Sequence, residues 1–395
     1  MRAGASDPIP NTQYPPTIPP TEPPPPTAAP PSWYGAGTVA LFSVGDQASG
    51  DLYALDHDGV THLVLPGIGG GAAVSPDGRW LGFVRGETED KPWIELHDAE
   101  TGASREILTD TFVASTLNLA FDRGSRRLAY LYLGDLGESG VVPWALVVVD
   151  LERNTTAHYD AQMTREDRRS LPGMPVGWSS GDELVINTFM PYSGGGWAGV
   201  WGVTFPADGA PASLDTLSLR ELLPGAPAYL SHLFLSPDGQ NLAFLSRDPD
   251  YKPDNYLFEF YDLAVNRLET LALASGARTL LVRVDDGSAL AHALAWSPAG
   301  DRLLFAQGRY EGGEQLGTLT LKSSDLDGAV VEHGPLTLPP SGTLADLAWC
   351  TASQVLYVAW DGTDYTQQLY SLDLTTALST QLSRGEQINL ITCAP

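Results

Sequence analysis

Short apolar runs separated by turn residues fill the chain from Thr38 onward, with almost no three-to-four spacing of the kind an amphipathic helix shows. The pattern is sharpest at Ala72 to Val84, A-A-V-S-P-D-G-R-W-L-G-F-V. There an apolar strand, a tight turn at Ser75-Pro76-Asp77-Gly78 and a second apolar strand predict a β-hairpin. The unit returns at Leu233 to Leu245 (L-F-L-S-P-D-G-Q-N-L-A-F-L) and, with Ala299 in place of the aspartate, at Ala293 to Phe305. One hairpin cannot bury both of its faces, so a chain that repeats it is expected to stack the copies against one another.

Seven such units follow one another. The first, with strands at Thr38 to Val44, Asp51 to Leu55 and Val60 to Leu65, lacks an opening strand. The second runs from Ala72 to Leu108, the third from Leu117 to about Tyr159, and the fourth from Pro175 through Ala207-Asp208-Gly209. The fifth spans Leu230 to about Leu273, the sixth His292 to Leu338 and the seventh Leu344 to about Leu382. The hairpin turns recur roughly every 47 to 61 residues, the spacing of four-strand units with variable loops. Strands such as Ala145 to Val149 are apolar at every position, as in a sheet covered on both faces. Gln387 to Thr392, Q-I-N-L-I-T, remains after the seventh unit and supplies the strand the first lacks. The predicted fold is therefore all-β: a seven-bladed β-propeller of four-stranded antiparallel blades over residues 35–395. The C-terminal strand enters the first blade and leaves no open edge.

The S-P-D-G hairpins, the L-x-F strand that follows them and the closing turn at Asp98 to Gly102 resemble the repeats of TolB-like propellers. The resemblance covers about residues 38 to 393, with the motif intact in the second and fifth repeats, altered in the sixth and degenerate in the third, fourth and seventh. It implies the propeller fold and leaves function open, because TolB-like propellers include periplasmic scaffolds, peptidase propellers and sugar-active enzymes. No stretch reads as the additional α/β domain of TolB or the hydrolase domain of the peptidases, so a role in the same envelope complex is not expected.

Residues 1–34 change the picture at one end. They include T-I-P-P-T-E-P-P-P-P-T-A-A-P-P, which lacks the backbone donors for helix or sheet and reads as an extended linker or stalk. No apolar signal segment follows Met1, and no run approaches the roughly 18 apolar residues of a membrane helix. The expectation is a chain with no membrane span, its anchor or signal, if any, lying upstream of the stalk. Because 48 acidic side chains oppose 22 basic ones, the net charge of -26 repels phosphate backbones and argues against a nucleic-acid partner.

Two cysteines occur, Cys350 at the serine place of the seventh hairpin and Cys393 near the matching place on the closing strand. Those strands should be neighbours across the closure, so a disulfide is expected to pin the last strand, in an oxidising compartment.

Candidate chemistry is sparse. Gly177-Trp178-Ser179-Ser180-Gly181 has the form of a hydrolase nucleophile elbow, but a strand follows it, so Ser179 reads as a turn serine. Asp56-His57-Asp58-Gly59 and Asp325-Leu326-Asp327-Gly328 look like fragments of calcium loops without the closing glutamate, and read as outer turns. Asn154-Thr155-Thr156 fits a glycosylation acceptor and also an outer turn. The histidines lack metal spacing; His232 and His292 are expected just before the inner strands of adjacent repeats, facing a common axial channel. Neither a cofactor nor a resident metal is expected.

The long connections between second and third strands of each repeat must emerge on one face. They carry Asp135, Tyr192, Trp197, Tyr251, Asp254, Tyr256, Tyr310, Trp360 and Tyr365, a mixture of aromatics and carboxylates suited to a glycan or a basic peptide. The reading is a monomeric, non-catalytic binding or scaffold propeller, secreted, periplasmic or tethered at the cell surface, with a protein or carbohydrate partner. The alternative is a polysaccharide hydrolase or lyase using mouth carboxylates such as Asp135, Asp250, Asp254 or Glu311.

Overall fold

A computed structural model describes residues 33, 35, 37–45, 50–68, 71–85, 93–107, 119–133, 143–162, 173–189, 197–206, 217–224, 230–248, 250–251, 265–284, 288–309, 317–339 and 341–394. The proline-rich stretch expected over 1–34 lies outside them apart from Trp33.

Blade 1 is built from β1 (Thr38–Gly45), β2 (Gly50–Asp56) and β3 (Thr61–Ile68); blade 2 from β4 (Ala72–Val74), β5 (Trp80–Arg85), β6 (Trp93–Asp98) and β7 (Ser104–Ile107). Blade 3 comprises β8 (Ala120–Phe121), β9 (Arg127–Leu133), β10 (Pro143–Asp150) and β11 (Thr155–Gln162). Blade 4 holds β12 (Gly173–Trp178), β13 (Leu184–Phe189), β14 (Trp197–Thr204) and β15 (Ser218–Glu221). Blade 5 follows with β16 (Leu230–Leu235), β17 (Asn241–Ser246), β18 (Arg267–Ala272) and β19 (Ala277–Arg283). Blade 6 has β20 (Ser288–Trp296), β21 (Arg302–Arg309), β22 (Thr320–Asp325) and β23 (Val330–Pro335). Blade 7 has β24 (Thr343–Trp349), β25 (Gln354–Trp360), β26 (Gln367–Asp373) and β27 (Leu378–Gly385), and the chain closes with β28 (Gln387–Cys393).

Each sheet has four antiparallel strands, and β28 pairs with β1 to give the order β28-β1-β2-β3. The innermost strands β28, β4, β8, β12, β16, β20 and β24 touch in succession and return to β28, so the ring is closed. Two repeats depart from the expected limits. The sixth begins at Ser288 rather than His292, and the fifth runs to Arg283 rather than Leu273. β19 pairs antiparallel with β18, and Arg278 on it donates to Glu269 on β18 at 2.7 Å.

The core lies between blades, which is why the middle strands are apolar at successive positions. Leu41, Leu52 and Ile68 of blade 1 pack on Leu81 and Phe83 of blade 2, and Leu356 and Val358 of blade 7 pack on Val39 and Phe42 of blade 1. From Trp144 to Val149 every side chain of β10 is buried.

The first hairpin turn holds itself through its serine. Ser75 Oγ accepts from the Trp80 amide at 2.8 Å and donates to Asp77 at 2.6 Å, while the Gly78 amide donates to the Ser75 carbonyl at 2.8 Å. Ser236 and Ser297 accept from Asn241 and Arg302 at 2.9 and 3.1 Å in the same way. Ser179 accepts from the Glu183 amide at 3.2 Å, so its hydroxyl belongs to the turn. Asp56 and Asp325 likewise accept from the amides of Val60 and Ala329, both at 2.8 Å, which closes their outer turns. Neighbouring turns are linked too: the Ser180 amide donates to the Gly239 carbonyl at 2.9 Å and the Asp77 amide to Ser125 Oγ at 3.1 Å.

At the closure, Cys350 and Cys393 form a disulfide with Cα atoms 5.0 Å apart, joining the end of β24 in blade 7 to the end of β28 in blade 1. The Ala394 amide adds a bond to the Val39 carbonyl at 2.7 Å.

Candidate functional site

The connection between the second and third strands of blade 7, from β25 to β26, is held by Asp361. Its backbone amide donates to the Thr366 carbonyl at 2.7 Å, and its carboxylate accepts from the Thr363 amide at 2.9 Å and Gln368 Nε2 at 3.2 Å. The Tyr365 amide donates back to the Asp361 carbonyl at 3.0 Å. Arg384 braces the outside, donating to Thr366 Oγ1 at 3.1 Å and pairing with Asp364. The result is Tyr365 at φ 61°, a left-handed conformation that a non-glycine residue adopts at a cost of order 1 kcal/mol or more. Its side chain is 72% exposed, with the ring 5.7 Å from that of Trp360 and tilted by 59°. A strained turn that presents a phenol ring to solvent beside an indole is a ready-made stacking surface.

The other expected rim residues fall out differently. Tyr251 is 8% exposed and its hydroxyl donates to the Ser288 carbonyl, so it lodges against blade 6 rather than projecting. Trp197 begins β14, where the backbone alone is described. Asp135, Tyr192, Asp254, Tyr256, Tyr310 and Glu311 lie outside the described residues, while Asp250 is exposed.

His232 and His292 are within the inner strands, not ahead of them. His232 on β16 and His292 on β20 both sit where pairing to the next strand slips, between Ser231 and Phe234 and between Leu290 and Leu294. Such bulges re-aim side chains, and here they bring the two rings to 5.3 Å, edge to face. His232 takes φ 54°, its Nδ1 is buried with no partner among the described residues, and burial beside His292 pushes its pKa down to about 4. The next inner strand slips between Leu344 and Asp346. Burial pushes the Asp346 carboxyl up to about 6, against the amides of Leu347 and Leu390, which favour its ionised form. On the turn face, Arg123 of blade 3 donates to the Pro237 carbonyl of blade 5, bridging past blade 4. Among the described residues no group of three His, Cys, Asp or Glu side chains is placed to hold a metal ion.

Two clefts open between blades on the face of the short turns, opposite the expected rim. One, of about 480 Å³, lies between blades 1 and 2, where Asp56 meets His62 at 3.1 Å and the Trp33 ring stands edge-on to His97 at 4.9 Å. Hydrogen bonding to His62 holds the Asp56 carboxyl below its usual range. The other, of about 680 Å³, lies between blades 3 and 4 and is lined by Arg126, Arg127, Glu152, Asp182 and Phe205 among others. Neither was legible beforehand, since each is assembled from turns of two repeats.

No protein-family profile and no curated protein matches the sequence. Solved structures do share the fold. A prolyl endopeptidase superposes with a TM-score of 0.56 at 15% identity, over 90% of this chain and 50% of its own. Oligogalacturonate lyase in complex with manganese gives a TM-score of 0.53 at 15% identity, over 88% of this chain and 85% of its own. TolB from Acinetobacter baumannii gives a TM-score of 0.45 at 17% identity, over 76% of this chain and 64% of its own. The chain thus spans half the length of the endopeptidase and less than two thirds of that TolB. At such identities the likeness is one of fold: the protein is a seven-bladed β-propeller with its ring closed by its last strand.

Proposed function

We propose that this propeller is a non-catalytic binding or scaffold module that works outside the cytoplasm and engages a protein or glycan through its long-loop face. The observation that carries this reading is the strained Asp361–Thr366 turn, which holds Tyr365 out to solvent beside Trp360. The turn's own hydrogen bonds set the backbone and leave the ring exposed beside Trp360, an arrangement suited to stacking on a sugar or a peptide side chain. The disulfide supports an oxidising compartment. Glycan arrays and purified envelope fractions, probed with wild type and the Tyr365→Ala and Trp360→Ala variants, test the reading. Loss of about tenfold in affinity for a ligand so found supports it; unchanged affinity in both variants overturns this face.

A second reading, cleavage of polysaccharide, draws on Asp346, whose carboxyl is protonated up to about pH 6, and on the neutral His232, in nearby inner strands. Release of reducing ends from any polysaccharide, abolished by Asp346→Asn, would favour it.

A further inference from the structure

The cleft between blades 3 and 4 carries groups that the fold does not use. Its floor is aromatic: the Tyr159 and Phe205 rings are 5.0 Å apart, and Phe205 continues to Trp178 at 5.5 Å. Arg127 lies 4.1 Å over the Trp178 ring, donates to Asp122 at 3.0 Å and pairs with Asp182, while Arg153 meets Asp150 at 3.7 Å. These charges are matched. Arg126 and Glu152 are not. The Leu151 amide donates to the Arg126 carbonyl at 2.7 Å, which puts Glu152 one residue from that backbone contact. Yet the two side chains do not meet, and neither has a side-chain partner among the described residues. A guanidinium fork and a carboxylate, offered to each other by the backbone and left apart, flank one cleft of about 680 Å³, within the size range of small-ligand sites.

We propose that this cleft binds a saccharide, a neutral and hydroxyl-rich ligand of two or three sugar units. Arg126, Arg127 and Arg153 are opposed on the lining by Asp150, Glu152 and Asp182, so the cleft presents no net field to draw an anion toward a chain of charge -26. Adjacent hydroxyls of a sugar both donate and accept. One pair can accept from the Arg126 fork while another donates to Glu152, and the apolar face of a ring packs on Phe205. This site is on the opposite face from the Tyr365 rim and is independent of it.

The full chain is titrated with maltotriose, cellotriose, xylotriose and chitotriose, and with trigalacturonate as the charged control. Calorimetry and tryptophan fluorescence are read at about 50 and about 500 mM salt. One neutral trisaccharide is expected to bind with little salt dependence. Arg126→Ala and Glu152→Ala should each weaken that binding about tenfold or more, and Tyr365→Ala should leave it unchanged. Arg126 and Glu152 are exposed, so both variants should keep the wild-type unfolding midpoint, which is checked alongside. The proposal is overturned if none of the neutral trisaccharides binds, if binding survives both substitutions in folded protein, or if trigalacturonate alone binds and salt abolishes it.

Discussion

The indole Nε1 of Trp296 on β20 donates to the Phe234 carbonyl on β16 at 3.0 Å, tying the inner strand of blade 6 to that of blade 5. Trp178 repeats the contact one pair of blades earlier, to the Ala120 carbonyl at 3.1 Å. Trp349 stands at the same place in blade 7, but its Nε1 is buried without a partner among the described residues, and the His333 ring lies 6.5 Å away. Trp296→Phe should therefore strand a carbonyl and cost about 1 to 3 kcal/mol beyond the change in volume, whereas Trp349→Phe, which removes a donor that has no partner among the described residues, should cost no more than the volume term. Urea midpoints of the two variants, compared with wild type, decide it.

The disulfide closes a separation of 43 residues, for which loop entropy gives a contribution on the order of 3 to 4 kcal/mol. Cys350→Ala with Cys393→Ala should lower the denaturation midpoint accordingly. Amide exchange should rise first along β28, because its other ties are the ladder to β1 and a few side chains.

Stability against pH should contain two opposed slopes. The native state keeps Asp346 protonated up to about pH 6, while the unfolded chain releases that proton near 3.8, so this group's contribution falls as pH rises between those values. His232 does the reverse. Its native pKa of about 4 lies below the ordinary 6.5, so the unfolded chain takes up the proton first and stability rises with pH over that window. Each effect amounts to about 3 kcal/mol at most before solvent screening. Asp346→Asn should expose the rising limb and His232→Gln the falling one, measured as unfolding free energy at several pH values from about 4 to 7.

Two glycines share φ +67° and differ in space. A Cβ on Gly239 would come within 2.8 Å of the Ser180 amide nitrogen in the next blade, while one on Gly102 would meet nothing within 4 Å. Gly102→Ala should cost only the conformational term, about 1 kcal/mol, and Gly239→Ala a further 1 to 3 kcal/mol from the forced separation of two turns. Thermal midpoints measured under identical conditions separate them.

The fold was legible in the sequence because the hairpins around Ser75 and Ser236 hold themselves by local bonds and because strands such as Ala145 to Val149 need cover on both faces. The place of β28 followed from the missing partner of Val39. The site was less legible. Composition marked Trp360 and Tyr365 as aromatics in a connection, but their pairing depends on Asp361 and on a left-handed Tyr365, a property of one turn that no periodicity encodes. Tyr251 has the same composition and is buried, because the Ser288 carbonyl of the next blade was in reach. The bulges that bring His232 to His292 are register slips, invisible where alternation is weak. The cleft beside Arg126 is made by two repeats at once, and a reading that takes one repeat at a time cannot assemble it.

Blade 1 borrows its axial strand from the far end of the polypeptide. A ribosome adding about 5 to 20 residues per second takes on the order of 20 to 70 s to travel from Gly45 to its ladder partner Gln387. Throughout that interval the first three strands wait with one edge unpaired. Six blades can collapse in order of synthesis, but the circle cannot be sealed until β28 itself has been made.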